Sequence, residues 1–349
     1  MTDQTPQGIA AEPTAPDAAP AATPAGDPTA ELLRLPRRRW LIPGGFKRPA
    51  APVPADFADK PRSLGMDAWD VLRRRPLFWV AAALVVLFVV MAIVPELFTT
   101  KDPRSCNLLF SRNPPGPGAI FGHDMQGCDI FARTVNGARA SILVGVFTAL
   151  FAALLGGVLG TLAGYLGGWV DAVLSRMADI FFAIPLLLGA IVVWSFAPVR
   201  ADAPLLKAVL QMVLVMAVFG WPNIFRLMRA SVMQVKPTEF VQAARALGAN
   251  PGRLILKHIV PNSMTPLIVV STIDLGAYIA TEATLTFLGI GLPAKLVSWG
   301  RAISDASDLG YIRNAPFMLL FPAAALCLTV LGFIMLGEVV RDALDPKLR

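Results

Sequence analysis

Lys236-Pro-Thr-Glu-Phe-Val-Gln-Ala-Ala-Arg-Ala-Leu-Gly-Ala-Asn-Pro-Gly-Arg-Leu-Ile-Leu-Lys-His-Ile-Val-Pro-Asn262 is a polar segment set between two strongly apolar ones. Thr238 can be the N-cap of a first helix, and Gly248 supplies the left-handed conformation that commonly ends one. Pro251 suits the first position of a second helix, which we expect Pro261 to end. The segment therefore predicts a helix pair at a membrane surface, placed to contact a partner rather than to catalyse a reaction.

The first helix of this pair carries an apolar stripe. Phe240, Ala244 and Leu247 recur at positions i, i+4 and i+7, which places them on one helical face. The small side chains of Ala243 and Ala244 would allow a partner to approach closely. Periodicity alone leaves two interpretations open, namely docking to a partner protein and an amphipathic hairpin lying among lipid headgroups.

The composition around this segment is that of a membrane protein. The 349 residues are 55% hydrophobic and 16% charged, whereas soluble domains carry about 25% charged residues. Apolar segments of spanning length recur, so we expect an all-α membrane protein with six transmembrane helices. The predicted spans cover about residues 77–94, 142–166, 173–196, 205–221, 264–288 and 316–340. Pro185 should kink the third span, and the glycines at 156, 157 and 160 should let the second pack closely.

Charge asymmetry orients these spans. Three arginines, at 73–75, directly precede the first span, which predicts a cytoplasmic N-terminus, and six spans return the C-terminus to the same side. The loop from 223 to 262 has one acid, Glu239, and it has six bases, which fits a cytoplasmic loop. The bases are Arg226, Arg229, Lys236, Arg245, Arg253 and Lys257.

Four segments follow from this topology. Residues 1–60 form a cytoplasmic tail that is predicted to be disordered, because it has few large apolar side chains. Residues 61–98 comprise a pre-membrane segment and the first span, and 99–139 form an extracytoplasmic loop. Residues 140–349 hold the other five spans and the cytoplasmic loop 236–262.

Motifs for catalysis are missing from the sequence. There is no Gly-x-x-x-x-Gly-Lys-Ser/Thr phosphate loop, so the chain is not expected to hydrolyse ATP. We predict no catalytic residues, and the lack of a cysteine–histidine cluster predicts no metal site. The net charge of +7 is attributed to cytoplasmic flanks rather than to nucleic-acid binding, because the bases sit beside the spans without interleaved aromatic residues.

Two acids and two cysteines are candidate site residues. Asp274 and Glu282 lie within the fifth span, where an ionisable group either lines a translocation path or is satisfied by a neighbouring helix. Cys106 and Cys128 lie in the predicted extracytoplasmic loop. A disulfide between them would contribute about 3 kcal/mol, and two free thiols are the alternative.

Two short motifs in the opening segment resemble a known family. Gln242-Ala-Ala-Arg-Ala-Leu-Gly248, followed by Ile259-Val-Pro261, is similar to the EAA loop of ABC importer permeases, with Gln242 where that family usually has Glu. The resemblance implies that the loop couples to an ATPase subunit. The implied coupling residues are Phe240, Gln242, Ala243, Ala244, Leu247, Gly248, Ile259 and Pro261.

Further motifs, in the expected order, resemble the dipeptide and oligopeptide permeases over residues 66–349. They are the runs 121–133, 163–171, 287–293, 298–300 and 336–346. This resemblance implies the type I ABC importer permease fold and the role of the second permease subunit of a peptide importer in the cell (inner) membrane. The implied partners are a homologous permease subunit, two ATPase subunits, an extracytoplasmic solute-binding protein and the peptide substrate.

The same resemblance implies no cofactor in this chain, with ATP and magnesium on the ATPase subunits. The competing interpretation is a secondary transporter or channel that needs no ATPase, and a scaffold subunit without a transport path is a third. An inverted repeat, typical of many secondary transporters, is not evident in the sequence.

Overall fold

The computed structural model describes residues 69–198 and 200–344, so the tail predicted for 1–60 lies outside the described residues. Throughout these two ranges regular structure is helical, and β-structure is limited to isolated bridges such as Cys106–Cys128. The helices are α1 (Pro76–Ile93), α2 (Ile130–Leu166), α3 (Gly168–Ala183), α4 (Leu186–Phe196), α5 (Leu205–Val235), α6 (Glu239–Ala246), α7 (Pro251–Phe287), α8 (Trp299–Asp305), α9 (Leu309–Asn314) and α10 (Phe317–Leu344).

Within the described residues, six apolar spans are present if α3 and α4 are counted together. Helices α1, α2, α5, α7 and α10 are each long and apolar enough to cross a membrane, and α3 and α4 pass the same test as a pair bent by 86°. The bend lies at Ile184 and Pro185, as predicted for the kink, because Pro185 lacks an N–H and pushes Ile184 into an extended conformation.

Contacts with α5 show that the bent pair runs along this helix, as a broken span would. Asp171 near the start of α3 bonds to Arg229, while the carbonyl of Ala197 after α4 accepts a hydrogen bond from Gln211 at 2.6 Å. Residues 211 and 229 lie about 27 Å apart along a helix, which is close to the thickness of the hydrocarbon core. The pair thus reaches from one end of α5 nearly to the other.

Several helices are longer than the spans predicted from the sequence. Helix α2 begins at Ile130, well before residue 142, because Asp129 caps it by accepting a hydrogen bond from the Ala132 amide at 3.1 Å. The loop predicted for 99–139 therefore ends at residue 129. Helix α5 continues to Val235 instead of ending near 221. Hydropathy detects only the lipid-facing part of a helix, and these helices extend beyond it.

The predicted helix end at Pro261 was wrong. The helix is continuous from Pro251 to Phe287, and residues Leu254–Ile259 form a π-helical turn just before the proline. A π turn holds more residues than an α turn, and the wider backbone accommodates a ring that has no N–H to donate. The second helix of the polar pair is thus the first part of span α7.

Helices α2 and α5 form the centre of the bundle, joined along a row of glycines. A Cβ added at Gly160 would lie 2.6 Å from the carbonyl oxygen of Phe225, and one at Gly164 would lie 2.9 Å from that of Arg229. The missing side chains let the two backbones approach closely, as in other membrane helix pairs. This seam fixes α5, and with it the position of the loop that follows α5.

Candidate functional site

The loop 236–262 lies at the end of the bundle where α2 and α5 finish, opposite the Cys106–Cys128 bridge. Thr238 occupies the N-cap position of α6 with an extended backbone, but its hydroxyl donates to the Val235 carbonyl at 2.7 Å instead of accepting from the helix. The predicted cap is therefore present in backbone conformation and absent as a side-chain bond. Lys236 Nζ donates to the Tyr165 carbonyl at 2.7 Å, which ties the loop to the end of α2.

The turn after α6 has the predicted conformation. Gly248 has φ +83°, and no heavy atom lies within 4 Å of the place where its Cβ would be. Asn250 caps the next helix by accepting a hydrogen bond from the Arg253 amide at 2.8 Å, and Pro251 stands at its first position. The tip of the loop is therefore held in one geometry by the backbone and lies in open space.

The inner face of α6 differs from the predicted stripe. Val241 is the fully buried residue, and it packs in a cluster with Leu254 and Ile259 of α7 and with Val232 of α5. This anchor was missed because Val241 was not included in the i, i+4, i+7 pattern. The sequence pattern that could have revealed it is the pair Val241 and Ala244. At spacing i, i+3 these two residues share the buried side of the helix.

Two of the three residues of the predicted stripe, Phe240 and Leu247, instead face outward. Phe240 is 45% exposed and Leu247 is 89% exposed, while Ala243 is also exposed and Ala244 is partly buried. Gln242 is exposed, and its amide donates to the Lys236 carbonyl at 3.1 Å. Two large apolar side chains thus project from a short helix whose opposite face is anchored in the bundle.

The last two predicted coupling residues, Ile259 and Pro261, lie apart from these exposed side chains. Ile259 is completely buried in the cluster with Val241, and Pro261 is exposed on α7. Of the predicted coupling residues, the structure therefore brings Phe240, Gln242, Ala243, Leu247 and Gly248 to one exposed surface, while Ile259 supports it from inside. We call residues 239–248 the loop surface.

Glu282 is enclosed by its own chain. Its side chain has 0% exposure, and one carboxylate oxygen accepts a hydrogen bond from Thr286 at 2.9 Å. Ser141 of α2 and Ser298, the N-cap of α8, are its other polar neighbours. Because α2, α7 and α8 enclose it, Glu282 lines no path in this conformation. Its hydrogen bond comes from its own helix, and its second oxygen and the Ser141 hydroxyl have no partner among the described residues.

Asp274 lies two helical turns away on α7 and is partly exposed. Its polar neighbour is Asn223 of α5. The two acids of the predicted path are thus in different environments, one sealed inside the bundle and one with partial access to its surface. The structure does not bring them together.

Cys106 and Cys128 are joined in a disulfide that closes the loop between α1 and α2. The same loop is held by Asp124, which accepts hydrogen bonds from the amides of Gln126 and Cys128 at 2.8 and 2.9 Å. Lys101 pairs with Asp129 at 2.6 Å. Within 69–198 and 200–344, no group of three or more metal-ligating side chains is found.

Family models match most of the chain. Residues 156–349 match the binding-protein-dependent transport system inner membrane component, and residues 63–115 match the N-terminal TM domain of oligopeptide transport permease C. A chain of the inward-facing MetNI methionine ABC transporter aligns with a TM-score of 0.48 and 21% identity, over 60% of this chain and 96% of that one.

Curated relatives cover nearly the whole chain. The oligopeptide transport system permease protein OppC of Bacillus subtilis is 40% identical over 88% of this chain and 99% of its own length. The dipeptide transport system permease protein DppC of Alkalihalophilus pseudofirmus is 38% identical over 81% of this chain and 90% of its own. The glutathione transport system permease protein GsiD of Shigella flexneri is 36% identical over 85% and 95%.

These matches confirm the resemblance to ABC importer permeases that the EAA-like loop indicated. They also agree with a helical bundle whose described residues contain five apolar spans, or six with the bent pair. The chain is a transport subunit and not a catalytic enzyme, and it belongs to the family of binding-protein-dependent transport system inner membrane components.

Proposed function

We propose that the chain is one of two homologous permease subunits of an ATP-driven importer for short peptides. It forms half of the translocation path, and the loop surface couples it to ATPase subunits that bind ATP and magnesium. An extracytoplasmic solute-binding protein delivers the peptide. Both termini and the loop surface are cytoplasmic, and the disulfide end faces outward, where oxidising conditions favour a disulfide.

One observation carries the coupling role. Phe240 and Leu247 are exposed apolar side chains on a helix whose other face is locked to α5 and α7 through Val241. A partner that binds the exposed side chains and then moves would displace the anchored helices as well, because a packed cluster moves as a rigid body. An amphipathic hairpin in the headgroup region would need no such anchor.

The relatives suggest the class of substrate. Their names specify oligopeptides, dipeptides and glutathione, and glutathione is itself a tripeptide. A short peptide is the chemistry that these three have in common. Loop 236–262 is the part of the chain through which ATPase action would reach the transport path.

A pair of substitutions at Gly248 tests the coupling. Both Asp and Asn tolerate a positive φ, and open space surrounds this position, so Gly248→Asp and Gly248→Asn should fold alike. We expect Gly248→Asp to uncouple ATP hydrolysis from peptide uptake by placing an acid at the docking turn, while Gly248→Asn retains most coupling. Uptake and ATPase rates of the purified complex in proteoliposomes provide the measurement.

Gly118 supplies the matched control. It has φ +91° and open space around it, but it lies in the loop near the disulfide. Gly118→Asp should leave coupling unchanged. Normal uptake by Gly248→Asp, or peptide uptake by the purified chain without any ATPase subunit, would contradict the proposal, and the second result would support a secondary transporter.

A further inference from the structure

A cleft of about 530 Å³ opens at the disulfide end of the bundle. Three separate segments line it, namely the loop between α1 and α2, the start of α5 with the residues before it, and residues 294–297 after α7. A smaller hollow of about 250 Å³ shares Arg104, Leu205 and Val297 with the cleft. Ligand pockets for small molecules usually measure about 300–1,000 Å³.

Basic side chains reach the cleft from two of these segments. Arg104 and Lys295 line it, both are exposed, and neither forms an ion pair within the described ranges. Their charges come from segments far apart in sequence, and only the fold brings them together. Two unpaired bases across one cleft are suited to a carboxylate, which accepts charge-assisted hydrogen bonds from both sides.

The base of the cleft holds a third cation. Arg133 is mostly buried, and its guanidinium is held by Asp124 and by Asp305 at 3.6 Å. Its Nε–H has no hydrogen-bond partner among the residues described. The two acids fix the guanidinium in place and offset its charge, and the Nε atom is itself buried. Arg133 therefore shapes the cleft wall without presenting that donor to a ligand.

The acid in the lining does not cancel these charges. Asp202 is bound by Arg200 through two contacts of 3.1 and 3.3 Å, and this guanidinium lowers the pKa of the Asp202 carboxyl. Arg200 is the main partner of the acid, and Lys295 lies close enough to contribute a smaller electrostatic effect without forming an ion pair with it. Arg104 and Lys295 therefore leave an excess of positive charge at the opening of the cleft.

The rest of the lining favours a peptide over a simple anion. Leu205, Leu296 and Val297 contribute apolar walls, and Gln126 offers an amide that can bond to a peptide group. A cleft of this volume is far larger than an inorganic anion or acetate needs. We propose that the cleft binds the C-terminal carboxylate and last residues of a short peptide that enters the importer. This inference rests on the proposed function and on the proposed orientation of the chain in the membrane.

A reporter cysteine tests the proposal without transport. Ala294, which is exposed at the cleft, is replaced by Cys, and the exposed Cys327 is replaced by Ala so that the reporter is the reactive thiol of the described spans. The complete complex in nanodiscs, without binding protein, is alkylated with N-ethylmaleimide. The competitors are tri-alanine, tri-alanine amide and acetate at equal concentrations.

We expect tri-alanine to slow alkylation and the amide and acetate to leave it unchanged. In the Arg104→Gln/Lys295→Gln variant, the concentration of tri-alanine that gives half protection should rise at least about tenfold, because two charged hydrogen-bond donors are lost. Arg313→Gln, which removes an exposed base on α9 outside the cleft, should change nothing.

Equal effects of tri-alanine and its amide, or of tri-alanine and acetate, would overturn the inference. So would undiminished protection in the double variant or no protection at all. Uptake of tri-alanine by the reporter complex with its binding protein is measured in parallel. Failure of uptake would contradict the proposed function. Normal uptake without protection from alkylation would contradict only the proposal that the peptide binds in this cleft.

Discussion

Arg229 of α5 and Asp171 of α3 are joined by two hydrogen bonds between guanidinium and carboxylate, one of them 2.6 Å from Nη2 to Oδ2. Both side chains are partly buried, with 32% and 20% exposure. The pair lies near the end of the bundle that carries the loop surface. It fixes the start of the broken span to the helix that leads into loop 236–262.

Loss of one partner should therefore weaken the bundle. We expect Asp171→Asn to lower the free energy of unfolding by about 1–3 kcal/mol, because Arg229 keeps its charge and loses a charged acceptor. Arg176→Gln is the control: that arginine is 85% exposed and 3.7 Å from its acid, so the change should be below about 1 kcal/mol. Thermal unfolding in detergent compares them, and equal midpoints would contradict the prediction.

Two glycines of α2, at positions 157 and 160, should respond differently to the same substitution. At Gly160 a new Cβ would meet the Phe225 carbonyl at 2.6 Å, whereas at Gly157 the nearest atom is a flexible Leu267 methyl at 3.5 Å. Gly160→Ala should destabilise the protein by about 1–3 kcal/mol through overpacking. Gly157→Ala should be tolerated.

The yield and unfolding midpoint of the two alanine variants provide the measurement. Because the positions lie three residues apart on one helix, differences in helix propensity cancel between them. A similar loss at both positions would mean that the α2–α5 seam does not depend on the absence of a side chain at Gly160.

Removal of the Cys106–Cys128 bridge should destabilise the loop between α1 and α2. The cysteines are 22 positions apart, and opening a loop of this size should cost about 3 kcal/mol. Cys106→Ala and the double variant Cys106→Ala/Cys128→Ala should have the same lowered unfolding midpoint, since either one breaks the bond. Cys327→Ala is the control, and a reductant should affect only proteins that keep the bridge.

Two substitutions at Glu282 separate a structural role from a path role. Gln can still accept the Thr286 hydrogen bond, so Glu282→Gln should leave uptake and stability nearly unchanged. Glu282→Leu should cost about 1–3 kcal/mol, because the buried Thr286 hydroxyl loses its acceptor. Impaired uptake by a normally stable Glu282→Gln variant would instead support a role of the carboxylate in transport.

The local features of loop 236–262 were predictable because they depend on single residue types. The positive φ of Gly248 and the start of a helix at Pro251 follow from the backbone preferences of glycine and proline themselves. The end predicted at Pro261 was wrong because a π-helical turn accommodated the proline. Local residue patterns do not predict such a turn.

The sequence by itself determined the class of this protein. Long apolar segments require membrane-spanning helices whatever their neighbours, and the spacing of the loop motif identified the permease family. These properties reside in short stretches of chain. They therefore need no knowledge of which helix lies beside which.

Only the tertiary structure decided which side chains face outward. It buried Val241 and exposed Phe240 on the same short helix, it enclosed Glu282, and it brought Arg104 and Lys295 to one cleft. Each outcome depends on contacts between segments far apart in the sequence. A residue's own type does not determine those contacts, because helix packing selects the buried face.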